Sequence, residues 1–377
     1  MKSPTIERGW LREIRLRLRE PFRTSRGTIE DRRIVLVMLE GGGHEGWGEC
    51  VAGADSSWPE TPDTAWKALE TELLPRALGR AVALGERAVG AALATAGTGG
   101  DDTLETRMAA GALEMAAWDL AARADGVSLS QKLGGTQTLV LVGVTVGLQP
   151  SNEALCDLVD RYVSEGYQRV KVKIEPRRDV EPVAELRARF PALRLWADAN
   201  AAYTLSDLPI LRDLDSLGLE LLEQPLKAHD FEGHARLQQE LVTPICLDES
   251  ITSERDARRA LELRACGIVN LKPGRLGGHA ESVRIHDLLQ AARVPVWCGG
   301  MLETGIGRAH NLALASLPGF TLPGDISASR RYWERDLVTP EFEVIGGRMQ
   351  VPSGLGIGVA VDEEYLRAST VRAVVIE

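Results

Sequence analysis

Short apolar runs recur along the middle of the sequence at a nearly constant interval, and each of them ends in a charged residue. The interval is 25 residues from Lys173 to Asp198, from Asp198 to Glu223 and from Glu223 to Asp248, and it is 24 residues from Asp248 to Lys272. A period of this length with one β-type run in each unit predicts a repeated strand-helix unit. Because parallel strands of such a repeat end at one face, we expect these charged residues to meet there.

The same pattern extends on both sides of this series and predicts eight strands. They lie near residues 139–147, 169–174, 193–198, 219–223, 244–248, 267–272, 295–299 and 320–325. Amphipathic stretches such as residues 152–165 and 280–292 separate them and are predicted to be helices. Eight strands that alternate with helices indicate the α/β class and a closed (β/α) barrel, a modified TIM barrel, with an open doubly wound sheet as the alternative.

The first third of the chain has a different pattern. Alternating residues near 14–18, 34–39 and 47–51 predict antiparallel strands, and Ala-, Leu- and Glu-rich segments over 64–93, with a break at Pro75, and over 106–124 predict helices. We therefore predict an α+β capping domain over residues 1–135. The barrel is predicted over residues 136–328, and residues 329–377 are expected to return to the capping domain.

The charge and the cysteine content narrow the class of function. The chain of 377 residues has 44 Lys and Arg against 54 Asp and Glu, a net charge of −10, which argues against nucleic-acid binding and favours a small-molecule substrate. Five widely spaced cysteines without a C-x-x-C pair indicate neither a disulfide framework nor a zinc site. No segment has the length of a signal peptide or of a membrane span, so we expect no membrane partner and a cytoplasmic location.

Three of the residues at the strand ends are carboxylates, namely Asp198, Glu223 and Asp248. Three like charges that converge at one face repel each other strongly unless a cation lies between them. Ligands that are all oxygen suit a hard cation that keeps positions open for substrate, so the sequence predicts a site for Mg²⁺, or Mn²⁺. The alternative is that these acids only cap the helices that follow the strands.

Lys173 and Lys272 end the two strands that flank the carboxylate strands, so in a closed barrel they face each other across the metal. Lysines seldom end apolar strands for packing reasons alone, although two surface lysines remain the alternative. Burial, the metal and the neighbouring Lys171 are all expected to lower the pKa of a lysine that acts as a base. This arrangement suits removal of a proton α to a carboxylate, because a metal stabilises the enediolate that results.

Five short motifs at these positions resemble those of the enolase superfamily. They are Lys171-Val172-Lys173, Asp198-Ala199-Asn200, Glu223-Gln224-Pro225, Asp248-Glu249-Ser250 and Asn270-Leu271-Lys272-Pro273. The resemblance implies that Asp198, Glu223 and Asp248 bind Mg²⁺ and that Lys173 and Lys272 are the acid-base pair. It also implies that Lys171 and Asn200 support them, and we expect Glu249 to orient groups near the metal.

Two longer strings point to one branch of that superfamily. No His/Asp pair occupies the late strands, which excludes the pattern of mandelate racemase and leaves the muconate lactonizing branch. Residues 270–278 and 297–311 resemble the family of o-succinylbenzoate synthases and N-succinylamino acid racemases. The resemblance implies dehydration of a succinylated carboxylate, a step of menaquinone biosynthesis, or racemisation of N-acylamino acids. It also makes a homo-oligomer the expected state.

The resemblance also suggests which residues contact the substrate. Gly299, Gly300 and Met301 are expected to make a tight turn and to line the succinyl end of a substrate. Phe22 and Arg26 lie in a polar loop predicted over residues 21–27, which is either a plain surface connection or a lid over that substrate.

Asp325 ends the last predicted strand, where a helix cap is its simplest interpretation. The alternatives are another muconate-lactonizing-type enzyme, such as a cycloisomerase or a dipeptide epimerase, and a non-catalytic carboxylate-binding or scaffold protein. Asp325 has no second acid two residues away, so it does not support dipeptide epimerisation.

Overall fold

The computed structural model of the chain describes residues 4–24, 27–53, 58–82 and 105–377. Its first part is an antiparallel sheet of four strands, in which the last strand of the chain lies beside the first. In order across the sheet the strands are β15 (Thr370–Ile376), β1 (Arg8–Thr24), β2 (Gly27–Gly41) and β3 (His44–Cys50). The end of the chain therefore completes a sheet that its beginning starts.

The hairpin of β1 and β2 is longer than the sequence predicts. Phe22 pairs with Ile29 and Thr24 pairs with Gly27, so the loop predicted to begin at Pro21 is wrong for the described residues. The strand continues because residues with exposed side chains still alternate with buried ones, and Phe22 is one of the buried ones. The hairpin thus carries ordered strand residues well beyond the body of the sheet.

Among the residues that the structure describes, four helices accompany this sheet. They are α1 (Pro62–Ala68), α2 (Leu74–Ala77), α3 (Arg107–Ala124) and α4 (Leu129–Leu133), and a π-helical turn over Leu69–Leu73 joins the first two. Of the helix predicted up to residue 93, the part after residue 82 lies outside the described residues. Helix α3 packs closely on β3, because a Cβ at Gly48 would lie 2.0 Å from the carbonyl oxygen of Ala112.

The second part is a parallel sheet of seven strands with helices between them. The strands are β5 (Val144–Val146), β6 (Arg169–Lys173), β7 (Arg194–Asp198), β8 (Leu221–Glu223), β9 (Ile245–Leu247), β10 (Ile268–Leu271) and β11 (Val296–Cys298). The helices are α5 (Asn152–Ser164), α6 (Val180–Arg189), α7 (Leu208–Asp215), α8 (Phe231–Glu240), α9 (Glu254–Leu263), α10 (Pro273–Leu276), α11 (His279–Ala291) and α12 (Gly305–Ala315). The strands follow one another in chain order across the sheet, which is the connectivity of a (β/α) barrel.

The eighth strand, predicted over residues 320–325, is not formed, and that prediction is wrong. Phe320 and Gly324 instead make single bridges to Val296 and Val142, on the two edges of the seven-stranded sheet. Pro323 has no N–H to donate to a strand ladder, which explains why only isolated bridges form there. The barrel therefore closes across an irregular segment.

The remaining strands are short and antiparallel. β4 (Leu139–Leu141) pairs with β13 (Arg348–Gln350), and β12 (Val338–Thr339) pairs with β14 (Ala360–Val361). A last helix, α13 (Glu363–Ser369), leads into β15. No helix among the described residues is long and apolar enough to cross a membrane.

Buried carboxylates join the first sheet and its helices to the barrel helices. Glu49 on β3 accepts hydrogen bonds from the backbone N–H groups of Thr304 and Gly307, at 3.0 Å each, where α12 begins. Glu114 on α3 accepts them from His279 and Ala280, at 2.7 and 3.0 Å, where α11 begins. Carboxylates at helix N-termini satisfy N–H groups that have no partner inside the helix.

Candidate active site

A cavity of about 250 Å³ lies at the carboxyl ends of the barrel strands, beside the β1–β2 hairpin. Lys171 and Lys173 from β6, Lys272 after β10, Asn200 and Asp325 line it on the barrel side. Its apolar lining includes Phe22, Ile29, Met301, Leu302 and Tyr332. Cations together with a small apolar wall suit a small anionic ligand.

The three predicted carboxylates lie in a row on neighbouring strands and are fully buried. Asp198 at the end of β7 pairs in register with Glu223 at the end of β8, and Asp248 directly follows β9. Among the residues that the structure describes, no three His, Cys, Asp or Glu side chains are already arranged around a position for a metal ion. Each of the three carboxylates instead contacts a lysine ammonium group.

Lys173 is held by two oxygen atoms. Its Nζ lies 2.7 Å from Asp198 Oδ2 and 2.7 Å from Asn200 Oδ1. The Nδ2 of Asn200 donates to Glu249 Oε1 at 3.2 Å. Asn200 has a φ of 45°, a conformation that asparagine tolerates better than most residues. Glu249 therefore acts on Lys173 indirectly, by fixing the amide of Asn200.

Lys272 lies on the other side of the carboxylate row. Its Nζ is 2.6 Å from Asp248 Oδ2, while the guanidinium of Arg275 contacts the other oxygen of Asp248 and also donates to its backbone carbonyl at 2.9 Å. A Cβ on Gly299 would lie 2.3 Å from Asn270 Oδ1 and 2.6 Å from Lys272 Cε, so a larger residue there would force these side chains to shift. Gly299 thus packs behind the lysine.

Lys171 is buried among three carboxylates. Its Nζ lies 2.6 Å from Glu223 Oε2, 2.7 Å from Asp325 Oδ2 and 3.2 Å from Asp198 Oδ2, and 4.7 Å from the centre of the Trp297 ring. Burial opposes the charge on Lys171, but Asp325 and Glu223 outweigh it and hold its pKa well above the usual value. With the protein groups alone, this ammonium is therefore held in its charged form.

The pKa of Lys272 differs from the sequence-based expectation of a lowered lysine pKa. Burial lowers it, but with the protein groups alone the adjacent Asp248 carboxylate outweighs burial, and the pKa of Lys272 is raised. For Asp248 itself, burial raises the pKa, while Arg275 and Lys272 outweigh this effect and lower it well below its usual range. The Asp248 carboxylate is therefore ionised.

For Glu223, the effects that raise the pKa outweigh those that lower it. Burial and the neighbouring Asp198 carboxylate raise the pKa of Glu223 to about 8. Asn270 donates from Nδ2 to Glu223 Oε1 at 2.9 Å, and its own buried Oδ1 accepts no hydrogen bond from any described residue. The centre of the row is thus rich in oxygen atoms that repel each other, which is the environment in which a cation is stabilised.

Two family models match the chain. Residues 10–134 match the N-terminal domain of the mandelate racemase and muconate lactonizing enzyme family, and residues 154–365 match the enolase C-terminal domain-like family. The curated o-succinylbenzoate synthase of Geobacillus stearothermophilus is 48% identical over 368 residues, which are 97% of this chain and 96% of that protein. The N-succinylamino acid racemase of Thermus thermophilus is 47% identical over 366 residues, 97% of each chain.

The chain belongs to the o-succinylbenzoate synthase and N-succinylamino acid racemase family, in the muconate lactonizing subgroup of the enolase superfamily. It is therefore an enzyme of the lyase or racemase type, as the resemblance of its motifs predicted. A solved structure of an enolase superfamily member from Enterococcus faecalis is 40% identical, covers 100% of both chains and has a TM-score of 0.90. The predicted barrel with its α+β capping domain is confirmed, and the boundaries after residues 135 and 328 stay predictions.

Within this member of the enolase superfamily, the predicted site residues fall into three groups. The lysines, the three carboxylates of the row, Asn200 and Glu249 form a cluster at the strand ends, in which Lys272 contacts Asp248 and the other residues contact one another around Lys171 and Lys173. Of the predicted substrate contacts, Phe22, Gly300 and Met301 line the cavity, whereas Gly299 packs behind Lys272. Arg26 lies outside the described residues. The roles assigned to all of these residues stay predictions.

Sequence reasoning missed three side chains of the cluster and misjudged a fourth. Arg275 and Asn270 stand inside the family-like string 270–278, but no role was assigned to either of them. Arg169 is the first residue of β6, and no sequence pattern indicated that it takes part in the site. Asp325 is not a helix cap, because its carboxylate pairs with Arg169 and Lys171. These partners lie about 150 residues away in sequence, so no local pattern could reveal them.

Proposed function

We propose that the protein removes a proton α to a carboxylate of a succinylated substrate bound to Mg²⁺ or Mn²⁺, through an enediolate. The proposed activity is that of an o-succinylbenzoate synthase, an N-succinylamino acid racemase, or both. The observation that carries this proposal is that Lys173 and Lys272 flank a row of three buried carboxylates and line the same cavity. The relatives at 48% and 47% identity, an o-succinylbenzoate synthase and an N-succinylamino acid racemase, support the choice of substrate class.

Asp198, Glu223 and Asp248 would hold the metal ion, because their donor atoms are all oxygen and their mutual repulsion favours a cation. The elevated pKa of Glu223, about 8, is the expected mark of such repulsion together with burial. When bound, the cation supplies positive charge that stabilises the enediolate. It would also reduce the effect of Asp248 on Lys272, which favours the neutral form of that lysine.

Lys173 and Lys272 would act as the two bases from opposite sides of the substrate. For racemisation, one lysine takes the α-proton and the other returns a proton to the opposite face. For dehydration, Lys173 takes the α-proton and returns it to the hydroxyl group that departs from the adjacent carbon, which leaves as water, while Lys272 stays close to the intermediate as a cation. The same arrangement serves both reactions, because each of them begins with the same proton abstraction.

A dipeptide substrate receives less support from the cavity. The ammonium of a dipeptide needs a carboxylate that is free to bind it. Asp325 is an acid that lines the cavity, and its two oxygens are already paired, at 2.5 Å to Arg169 and at 2.7 Å to Lys171. This observation favours a substrate without a cationic group.

Exchange of the α-proton with deuterated solvent tests the proposed mechanism. In wild type, N-succinylamino acids are expected to exchange only with Mg²⁺ or Mn²⁺ present, and Lys173→Ala is expected to abolish exchange from at least one enantiomer. Lys67→Ala, a change at an exposed lysine of α1, is the matched control and should leave exchange unchanged. Wild-type exchange from both enantiomers in Lys173→Ala would show that the two-base assignment is wrong.

A side-by-side assay ranks the two proposed activities. The purified enzyme is offered the precursor of o-succinylbenzoate and a panel of N-acylamino acids, and kcat/KM is compared.

The expected homo-oligomer and the expected cytoplasmic location stay predictions. Light scattering of the purified protein tests the oligomeric state.

A further inference from the structure

Asp325 is a buried acid of the cavity that does not belong to the row of proposed metal ligands. It follows the irregular segment where the barrel closes, and its backbone N–H donates to the carbonyl of Cys298 at 2.9 Å. One carboxylate oxygen contacts Arg169 at 2.5 Å, and the other contacts Lys171 at 2.7 Å. The side chain therefore links two cations and leaves neither oxygen for a metal ion.

Arg169 fixes Asp325 from behind. This arginine is fully buried, donates to the carbonyl oxygens of Pro323 at 2.7 Å and Val144 at 3.3 Å, and stacks its guanidinium 4.2 Å from the centre of the Trp196 ring. A Cβ at Gly143 would lie 2.3 Å from Arg169 Nε, so the backbone there is shaped around the arginine. A guanidinium held on several sides is a rigid anchor for a carboxylate.

Lys171 is shared between Asp325 and two of the proposed metal ligands. Its ammonium lies 2.6 Å from Glu223 Oε2 and 3.2 Å from Asp198 Oδ2, so it occupies oxygens that a divalent cation would need. The Trp297 ring, 4.7 Å away, closes another side of the ammonium. Lys171 therefore competes with the metal ion for these oxygens. The strength of this competition depends on how strongly the Asp325 carboxylate attracts the Lys171 ammonium.

We propose that Asp325 is a positioning residue that draws Lys171 away from Glu223 and Asp198 and so sets the affinity of the metal site. The proposal rests on the metal site of the proposed function. Without the Asp325 carboxylate, Glu223 and Asp198 are the carboxylates that remain in contact with the ammonium. It then holds them more strongly, and a divalent cation binds less well.

Metal binding measured without turnover tests this proposal. Mn²⁺ is the probe, and the free ion is counted by electron paramagnetic resonance in titrations of the whole protein. Asp325→Asn keeps the shape of the side chain and an oxygen that accepts from Arg169. The dissociation constant of Mn²⁺ is expected to rise about tenfold, which lies within the coupling range of charged groups in contact. An unchanged constant would overturn the proposal.

A double-mutant cycle separates positioning of Lys171 from the plain loss of a negative charge. In Lys171→Met the competitor is gone, so adding Asp325→Asn should change the Mn²⁺ constant less than about twofold. Loss of long-range attraction alone would weaken Mn²⁺ by the same factor with or without Lys171, and that result would also overturn the proposal. Asp119→Asn is the control, because it removes another buried acid, paired with Arg123 at 3.1 Å, outside the site, and should leave Mn²⁺ binding unchanged.

The outcomes also distinguish this proposal from the proposed function. If wild type binds no Mn²⁺, the proposed metal site fails and the role of Asp325 fails with it. If wild type binds Mn²⁺ and Asp325→Asn binds it equally well, only the role of Asp325 fails. Should Asp325→Asn not fold, Asp325→Ser removes the same charge with a smaller side chain, and the same rise of the Mn²⁺ constant is expected.

Discussion

The two lysines at the cavity have different surroundings, although both contact a carboxylate. Lys173 has an amide oxygen as its second partner, and this amide is held in turn by Glu249. Lys272 shares Asp248 with the guanidinium of Arg275, a cation that disfavours a second positive charge nearby. The two proposed bases are therefore not equivalent, and changes around one of them should affect one enantiomer of a substrate more than the other.

Asn200→Gly tests this asymmetry. Glycine accepts the φ of 45° without strain, so the change removes the amide and leaves the backbone free to keep its course. Without the contact at 2.7 Å between Lys173 Nζ and Asn200 Oδ1, the lysine side chain is no longer held in one orientation. Exchange of the proton that Lys173 removes should therefore slow about tenfold or more. The measurement is deuterium exchange of each enantiomer in separate experiments. Equal slowing of both enantiomers would contradict the assignment of Asn200 to Lys173 alone.

At the scale of the elements, the sequence predicted the parts of the molecule that have a local signal. The strands β6 to β11 were predicted to within about two residues, because their apolar runs are continuous and end in polar residues. The extension of the β1–β2 hairpin was missed, because its polar residues on the exposed side resemble a loop. The strand predicted over 320–325 was wrong, because its apolar residues pack at the seam of the barrel without a ladder.

The sequence likewise predicted those site residues that have a local signal and missed the contacts between distant segments. Its proposed ligands and bases stand at strand ends, where the 25-residue period marks them. The contacts that orient them join distant segments. Asp325 and Arg169 are 156 residues apart, and Glu249 reaches Asn200 across 49 residues. Such pairs depend on how the elements pack, and neither composition nor periodicity reports them.

The junction between α3 and α11 makes stability depend on pH. Burial raises the pKa of Glu114 to about 7, above its value in an unfolded chain. The folded state then binds more protons than the unfolded state between about pH 4.5 and 7, so stability falls as the pH rises through this window. In Glu114→Gln this contribution is absent. Relative to that variant, the free energy of unfolding of wild type should decrease by about 3 kcal/mol from pH 4.5 to 7.5.

Urea unfolding at a series of pH values measures this difference. Glu30→Gln, at an exposed residue of β2, is the matched control for removal of a carboxylate. A constant difference between wild type and Glu114→Gln over this pH range would mean that the buried carboxylate at the start of α11 does not change its protonation there.

Both parts of the chain, the first sheet and the barrel, contribute walls to the cavity. Phe22 and Ile29 come from the hairpin of the first sheet, and the lysines come from the barrel. Glu49 and Glu114 join the two parts through helix N-termini close to the strings that contain Lys272 and Met301. A ligand that binds at the strand ends therefore stabilises both parts together, since the site exists only in the folded chain.

Thermal unfolding with and without Mg²⁺ tests this linkage and separates ligands from bases. At a Mg²⁺ concentration of 100 times Kd, binding adds about 2.7 kcal/mol, or about 3 °C in Tm for a chain of this length. Asp248→Asn and Glu223→Gln should lose the shift, because they remove proposed ligands. Lys173→Met and Lys272→Met should keep at least the wild-type shift, because they remove competitors for the same oxygens. KCl at equal ionic strength controls for screening. A full shift in Asp248→Asn would mean that the stabilising ion binds somewhere other than the carboxylate row.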